Sequence, residues 1–220
     1  MSKPNALLHV AVIPDGTRRW AQDHGKSLGE AYEQVAKVLV CLSNVAYRHG
    51  VRSLSIYTLS NNNLHRSAED LEVTFASHIR IFREVLPDLV ARWNAHVFHT
   101  GDVSCLPKEY VTAINDVCRN SYKTEGKKEI YICAGYSAEW ELRNGSEAAH
   151  QAMSEVARPV PYDIDMLIRT GGEVRLSGFL PLQLQYAELF FLKKLFPDIT
   201  EDDIEGAIGG YYSRERRFGR

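Results

Sequence analysis

The sequence predicts an α/β fold: a single domain with a mostly parallel central sheet flanked by helices. Short apolar runs alternate along the chain with longer segments whose apolar residues recur every three or four positions. The first strand, helix and strand need a crossover connection, which favours parallel pairing. With 220 residues, 45% of them hydrophobic, the whole chain 1–220 suffices for one core and is short for two.

Six strands are predicted where short apolar runs are bounded by polar or turn residues. They are residues 8–13, 54–58, 97–98, 130–134, 166–168 and 189–192. Helices are predicted at residues 29–50, 67–93, 107–124, 137–156 and 200–211. Pro87 should kink the second of these helices, because proline lacks the N–H group that the helix interior requires.

Charge and composition exclude several classes of protein. A net charge of −2 and few basic clusters argue against a nucleic-acid partner, which needs a surplus of Lys and Arg. No apolar segment approaches the ~18 residues of a membrane span, so no stable membrane insertion is expected. The four cysteines form no C-x-x-C pair, and no secretory leader precedes Leu7. A cytoplasmic protein is therefore expected.

The most informative stretch is residues 8–21, in which an apolar run meets a carboxylate, a glycine and two arginines. Pro14 and Gly16 end the strand, and a helix should follow. Free N–H groups at a helix start favour an anion such as phosphate. Asp15 would repel that anion, so a divalent metal joining the carboxylate to a phosphorylated ligand is predicted, most naturally Mg²⁺. A simple helix cap is the alternative function for Asp15.

Three segments together resemble one enzyme family. They are Asp15-Gly16-Thr17-Arg18-Arg19-Trp20, Arg169-Thr170-Gly171-Gly172-Glu173 and Arg214-Glu215-Arg216-Arg217-Phe218-Gly219. The chain resembles, end to end, the cis-prenyltransferase family typified by undecaprenyl diphosphate synthase. The Asp-Gly-Thr motif is also similar to haloacid-dehalogenase-like phosphatases, but their nucleophilic aspartate would stand at Ile13. The resemblance implies the cis-prenyltransferase fold, a Mg²⁺-dependent prenyl transfer and a homodimer.

The resemblance also implies two diphosphate sites. The first would use Asp15, Gly16, Arg18 and Arg19, beside an apolar slot between the first two long helices. The second would use Arg169, Arg175 and Ser177, with Glu188 joining Asp15 at the metal. The remaining substrate-binding positions implied by the match are Trp20, Ser60, Asn63, Arg66, Arg217 and Gly219, and Lys26 is added as a substitute for an arginine of the relatives. Without the resemblance, Arg169 and Arg175 would be taken for surface charges.

The departures from the family pattern lie around the reacting carbons. Relatives have Asp-Gly-Asn-Gly-Arg-Trp where this chain has Thr17 and Arg18. The family's Ser-x-Glu-Asn-Trp-x-Arg-Pro loop keeps Ser60 and Arg66 but loses its Glu and Trp, and the His expected after Gly29 is Glu30. Lys26 or Arg18 would replace a loop arginine of the relatives.

These departures predict an irregular condensation, in which two dimethylallyl diphosphates join into a branched ten-carbon diphosphate, as in the family's lavandulyl and cyclolavandulyl diphosphate synthases. Such a reaction needs a new acid/base, for which Glu30, His65 and Thr17 are the candidates. His65 is preferred because its ordinary pKa lies near neutrality, although a plain exposed loop position is the alternative. Two other functions stay open: a regular cis-polyprenyl synthase that uses isopentenyl diphosphate, and a non-catalytic partner subunit.

Overall fold

A computed structural model describes residues 6–122, 126–144, 160–161 and 163–216 of the chain. Its centre is a six-stranded sheet in which every neighbouring pair is parallel. The strands are β1 (His9–Ile13), β2 (Ser53–Ser60), β3 (Ala95–Thr100), β4 (Lys128–Tyr136), β5 (Met166–Arg169) and β6 (Glu188–Phe191). Their order across the sheet is β3-β4-β2-β1-β5-β6. The predicted α/β class and all six predicted strands are confirmed.

Seven helices lie within the described residues. They are α1 (Thr17–Asp23), α2 (Leu28–Arg48), α3 (Ala68–Arg80), α4 (Leu86–Trp93), α5 (Lys108–Ser121), α6 (Ala138–Asn144) and α7 (Glu201–Tyr212). Of the predicted helix 137–156, the part beyond Asn144 lies outside the described residues. No helix in the described part of the chain is long and apolar enough to cross a membrane.

The long helix predicted at 67–93 is interrupted, as expected from Pro87. A π-helical turn at Ile81–Val85 separates α3 from α4, and the N–H of Leu86 bonds the carbonyl of Ile81, five residues back. A proline ring collides with the carbonyl four residues before it, so the helix widens in the turn that precedes Pro87. The widened turn places Ile81 and Phe82 in the core.

Both faces of the sheet are buried, which explains the successive apolar residues of β1, β4 and β5, whereas β2 alternates between polar and apolar positions. Val10 and Val12 of β1 belong to the core cluster under α2, α4, α5 and α7. Ala11 and Ile13, which point to the other face, pack with Phe179 and neighbouring side chains. The carboxyl ends of the strands are therefore left as the place for a site.

The pairing of β1 with β5 brings two predicted site residues together. Ile13 lies opposite Arg169 in the parallel register. Asp15, two residues beyond Ile13, and Arg169, the last residue of β5, therefore meet at the carboxyl edge of the sheet, as the sequence predicted.

Candidate active site

A cavity of about 330 Å³ opens at the carboxyl ends of β1, β2 and β5. Its outer end is polar and includes Asp15, Arg18, Arg19, Arg66 and Arg169. Its inner end runs between α2 and α3, where buried and mostly apolar side chains form the wall. These are Tyr32, Val35, Leu39, Ile56, Tyr57, His78, Ile81 and Phe82. A ligand that fits this cavity has a polar head and a hydrocarbon tail.

Asp15 and Arg169 form an ion pair at the outer end. Arg169 Nη2 donates to Asp15 Oδ2 at 2.8 Å, and Arg19 Nη2 donates to Oδ1 at 3.4 Å. The Arg169 side chain is only 4% exposed, and its Nη1 donates to the carbonyl of Arg175 and to Ser177 Oγ at 2.9 Å. The guanidinium is thus held by three partners, so it presents a fixed positive charge.

Gly16 makes the turn from β1 into α1. Its φ is +110°, in the region that favours glycine, and a Cβ placed there would lie 2.7 Å from Leu195 Cδ2. No side chain caps α1, and its first turn contains Arg18 and Arg19 but no acid. Cations near the positive end of a helix repel its dipole, so this arrangement favours a bound anion.

Charge is concentrated at this cavity. Four arginines and one aspartate line it, giving a formal charge of +3 in a chain whose net charge is −2. Arg18 is neutralised in part by Asp70, 3.0 Å away. Such a surplus of positive charge in a partly enclosed space favours the binding of an anion.

The loop after β2 contributes three more of the predicted substrate-binding residues to the cavity wall. Residues Asn61–His65 form a short 3₁₀ helix in which Ser60 Oγ accepts from the N–H of Asn63 at 3.2 Å. Ser60, Asn63 and Arg66 line the cavity, as do Gly16, Thr17 and Ser177. The predicted substrate-binding residues of this loop thus surround the same space as Asp15.

Glu30 and Lys26 lie elsewhere. Glu30 completes the cap of α2: its Oε2 accepts from the N–H and the Oγ of Ser27, both at 2.9 Å, and its Oε1 accepts from Lys26 Nζ at 3.0 Å. These hydrogen bonds, the backbone one from Ser27 first, lower the pKa of Glu30 to about 2. A carboxylate so engaged is a poor proton acceptor, and the structure does not place it in the cavity wall.

His65 and Trp20 are also outside the cavity wall. His65 is exposed at the end of the 3₁₀ helix. Trp20 Nε1 donates to Asp198 Oδ1 at 2.6 Å, and its ring stacks on His24. Of the three predicted acid/base candidates, the structure brings only Thr17 to the cavity.

Glu30→Gln and His65→Asn are each expected to leave kcat and KM near the wild-type values. Both side chains lie away from the cavity. Glu30→Gln weakens the cap of α2, which should lower the melting temperature slightly. Steady-state kinetics and thermal melts of both variants check this. A large loss of kcat in either folded variant would return that residue to the acid/base role.

Glu188 is not brought to Asp15 within this chain. It opens β6 opposite Met166, three positions before the level of Arg169, and it accepts from Arg214 Nη1 at 2.5 Å. In the part of the chain described, no three acids, histidines or cysteines are grouped for a metal. Asp15 alone still fits Mg²⁺, which proteins often hold through one carboxylate while substrate phosphates supply other ligands.

The Arg175 side chain is 59% exposed and forms an ion pair with Glu173, while its backbone carbonyl supports Arg169. The structure therefore places Arg169 and Ser177 in the cavity but not the Arg175 guanidinium. Arg217 and Gly219, predicted to close over the second diphosphate, lie outside the described residues.

A buried polar cluster at the inner end was not anticipated from the sequence. His78 Nδ1 lies 3.2 Å from the Tyr110 hydroxyl, and Tyr32 donates to Thr74 Oγ1 at 3.2 Å. Burial lowers the pKa of His78 to about 4, and the charge of Arg66 acts in the same direction. Burial likewise lowers the pKa of His9, at the other end of the sheet, to about 4.

Acid is expected to destabilise the fold well above the carboxylate range. His9 and His78 have folded pKa values of about 4, below the unfolded value of about 6.5, so folding favours their neutral forms. Their stabilising effect is complete above about pH 6.5 and is lost as the pH falls towards 4. Each histidine should lower the free energy of unfolding by about 2 kcal/mol when the pH falls from about 7.5 to about 5. Urea unfolding at both pH values measures this change in the free energy of unfolding. His9→Gln should make the change smaller.

These features define a class of enzyme. A cationic mouth with one carboxylate, continuous with a buried apolar slot, suits a ligand with an anionic head and a hydrocarbon tail. The chain matches the family model described as putative undecaprenyl diphosphate synthase over residues 13–219. It therefore belongs to this family of cis-prenyltransferases and is a prenyltransferase.

Curated relatives extend over the whole chain. It is 31% identical to the ditrans,polycis-undecaprenyl-diphosphate synthase ((2E,6E)-farnesyl-diphosphate specific) of Salmonella paratyphi A, covering 96% of this chain and 89% of that protein. It is 35% identical to the tritrans,polycis-undecaprenyl-diphosphate synthase (geranylgeranyl-diphosphate specific) of Pyrobaculum aerophilum, covering 96% and 95%.

Two solved structures share the fold. The lavandulyl diphosphate synthase of Lavandula x intermedia, in complex with dimethylallyl diphosphate, superposes with a TM-score of 0.87 at 27% identity, covering 99% of this chain and 100% of that one. A probable undecaprenyl diphosphate synthase from Campylobacter jejuni gives 0.80 at 26% identity, with both chains covered in full. The resemblance inferred from the sequence is confirmed.

Proposed function

We propose that this prenyltransferase joins two molecules of dimethylallyl diphosphate into a branched ten-carbon diphosphate of the lavandulyl or cyclolavandulyl type. The observation that carries the proposal is the size of its cavity, about 330 Å³, near the lower limit of ligand pockets. Phe82 and His78 are buried in its inner wall, where His78 Nδ1 lies 3.2 Å from the hydroxyl of Tyr110. Two five-carbon tails suit this space better than a long chain.

The likeness to lavandulyl diphosphate synthase supports the same proposal, because that structure contains dimethylallyl diphosphate. The substitutions at Thr17 and Arg18, both in the cavity wall, lie where the acceptor's double bond would be oriented. In the proposed reaction, one diphosphate leaves its allylic carbon and the double bond of the second molecule attacks that carbon.

The residues at the outer end of the cavity would stabilise the diphosphate as it leaves the allylic carbon. Arg18, Arg19 and Arg66 would bind the diphosphates, and Arg169 would hold the acceptor's head group through its planar fork. Asp15 would be the protein ligand of Mg²⁺. A bound Mg²⁺ would neutralise the negative charge that develops on the leaving diphosphate. The aromatic rings of Tyr32, Tyr57 and Phe82 would exclude water from the cationic carbon and stabilise it through their π faces.

A regular cis-polyprenyl diphosphate synthase, using isopentenyl diphosphate, is the second candidate. The curated relatives at 31% and 35% identity favour it. A non-catalytic partner subunit is disfavoured because a chain without chemistry has no need of Asp15 in a mouth lined by four arginines. The homodimer and the cytoplasmic location stay predictions.

The deciding experiment incubates the purified protein and Mg²⁺ with dimethylallyl, geranyl or farnesyl diphosphate, each with and without isopentenyl diphosphate. Product masses and fragmentation are then compared with synthetic standards. A branched ten-carbon diphosphate formed without isopentenyl diphosphate is expected. A linear chain formed only in its presence would establish the regular reaction instead, and no product from dimethylallyl, geranyl or farnesyl diphosphate would favour the partner subunit.

A further inference from the structure

His78 is a titratable group that the binding of two diphosphates leaves unused. It lies on α3, is 6% exposed, and lines the inner end of the cavity. The charged lining residues belong to the strand ends, α1 and the loop after β2. Among the described lining residues, His78 therefore supplies the only basic nitrogen of neutral charge next to the space for the hydrocarbon.

One nitrogen of His78 is held by a buried hydroxyl. Nδ1 lies 3.2 Å from the hydroxyl of Tyr110, which is fully buried. The hydroxyl oxygen of Tyr110 can accept a hydrogen bond as well as donate one. When Nδ1 carries the ring hydrogen and donates it to this oxygen, the lone pair stands on Nε2, and this is the tautomer that the inference below requires.

The hydrogen bond of the His78 ring among the described residues is made at Nδ1 and not at Nε2, and the His78 side chain lines the cavity. The ring stands among three aromatic residues, with ring centroids 5.2 Å from Tyr32, 6.2 Å from Phe82 and 6.0 Å from Tyr110. A lone pair among these buried aromatic side chains is placed to accept a proton from a cationic hydrocarbon before water can attack the cation.

We propose that Nε2 of His78 accepts the proton whose loss ends the condensation. The inference rests on the prenyl-transfer function proposed above. The donor's carbon–oxygen bond breaks and its electron pair leaves with the diphosphate. The acceptor's double-bond electrons form the new carbon–carbon bond, which leaves a tertiary cation. A C–H bond beside that cation gives its electrons to a new double bond, and its proton goes to Nε2.

The surroundings of His78 suit a base that is unprotonated before the reaction and loses its acquired proton afterwards. Burial lowers the pKa of His78 to about 4, so the ring is neutral near pH 7. A carbocation is a far stronger acid than imidazolium, so this weak base suffices. The imidazolium then passes its proton readily to the departed diphosphate, which restores the neutral ring.

Two substitutions separate a chemical role from a structural one. His78→Asn places an amide near the position of Nδ1, so it can keep the bond to Tyr110 but has no group at Nε2. His78→Gln places a polar but non-basic amide near Nε2. His65→Asn, the same change at the exposed loop histidine, is the matched control. Each protein is assayed with Mg²⁺ and dimethylallyl diphosphate, with and without isopentenyl diphosphate, after a melting curve confirms folding.

Both His78 variants are expected to lower kcat by about 10²- to 10⁴-fold with KM nearly unchanged. Part of their product should carry an added water, because the unquenched cation is captured by solvent. Wild-type kcat and product pattern in either folded variant would overturn the role, as would a rise in KM without a loss of kcat. If the Asn variant does not fold, the Gln variant decides.

The products of the wild-type protein test the proposed irregular condensation separately from the role of His78. Regular product from wild-type protein would refute the irregular condensation but not His78, because that reaction also ends with loss of a proton, and the variants would still decide. Absence of any wild-type product would refute the proposed function, and the role of His78 with it.

Discussion

Asp15→Asn is expected to reduce kcat about 1000-fold while the protein stays folded. The amide keeps the shape of the side chain and can still accept from Arg169, but it loses the negative charge that would bind Mg²⁺ in the proposed reaction. Metal neutralisation of a leaving group is worth several kcal/mol, and each 1.4 kcal/mol is about tenfold in rate. Single-turnover rates with excess enzyme, at several Mg²⁺ concentrations, measure the loss directly.

Asp15→Ala is a less clean test of the same role. Arg169 is 4% exposed and would lose its anion, whereas Asp15 is 30% exposed and the pair is partly hydrated. We therefore expect a destabilisation of about 2 kcal/mol, less than for a fully buried pair. The Asn variant serves as its control. A folded Asp15→Asn protein with near-wild-type kcat would contradict the metal role.

The strands were predictable because their buried surroundings favour apolar residues. Both faces of the sheet are buried, so β1, β4 and β5 contain successive apolar residues, and β2 alternates between polar and apolar positions. The boundaries were less accurate: β2 runs to Ser60 and β3 begins at Ala95, since polar residues at strand ends carry no hydrophobic signal.

The meeting of Asp15 with Arg169 was also predictable, because parallel strands end at one edge of a sheet. The position of Glu188 was not, since the register of β6 against β5 is set by packing across the sheet. The cap formed by Ser27 and Glu30 did carry a sequence signal, a serine followed three residues later by glutamate. That motif identifies Glu30 as a helix-capping residue.

His78 could have been identified from spacing. It lies three residues after Phe75 and four before Phe82, so it shares their helix face. Sequence alone does not say whether such a histidine is packed among core residues or next to a cavity. The difference depends on how α3 packs against α2, where His78 meets the ring of Tyr32.

Arg169→Lys is expected to raise the KM for the acceptor diphosphate about tenfold or more. The arginine fork contacts Asp15, Ser177 and the carbonyl of Arg175 from a buried position, and lysine keeps the charge but cannot make these contacts together. One lost charge-assisted contact is worth about 1.5–3 kcal/mol, and 1.4 kcal/mol is a factor of ten.

Arg175→Ala is the natural comparison, because the family resemblance gives both arginines to the second diphosphate. Its guanidinium is 59% exposed and paired with Glu173, so binding a diphosphate would require it to leave that partner and become ordered. We therefore expect a smaller rise in KM than for Arg169→Lys, in saturation curves taken at fixed donor concentration. An equal or larger effect would mean that the Arg175 side chain turns into the cavity when the acceptor binds, and an unchanged KM in both variants would place the acceptor site elsewhere.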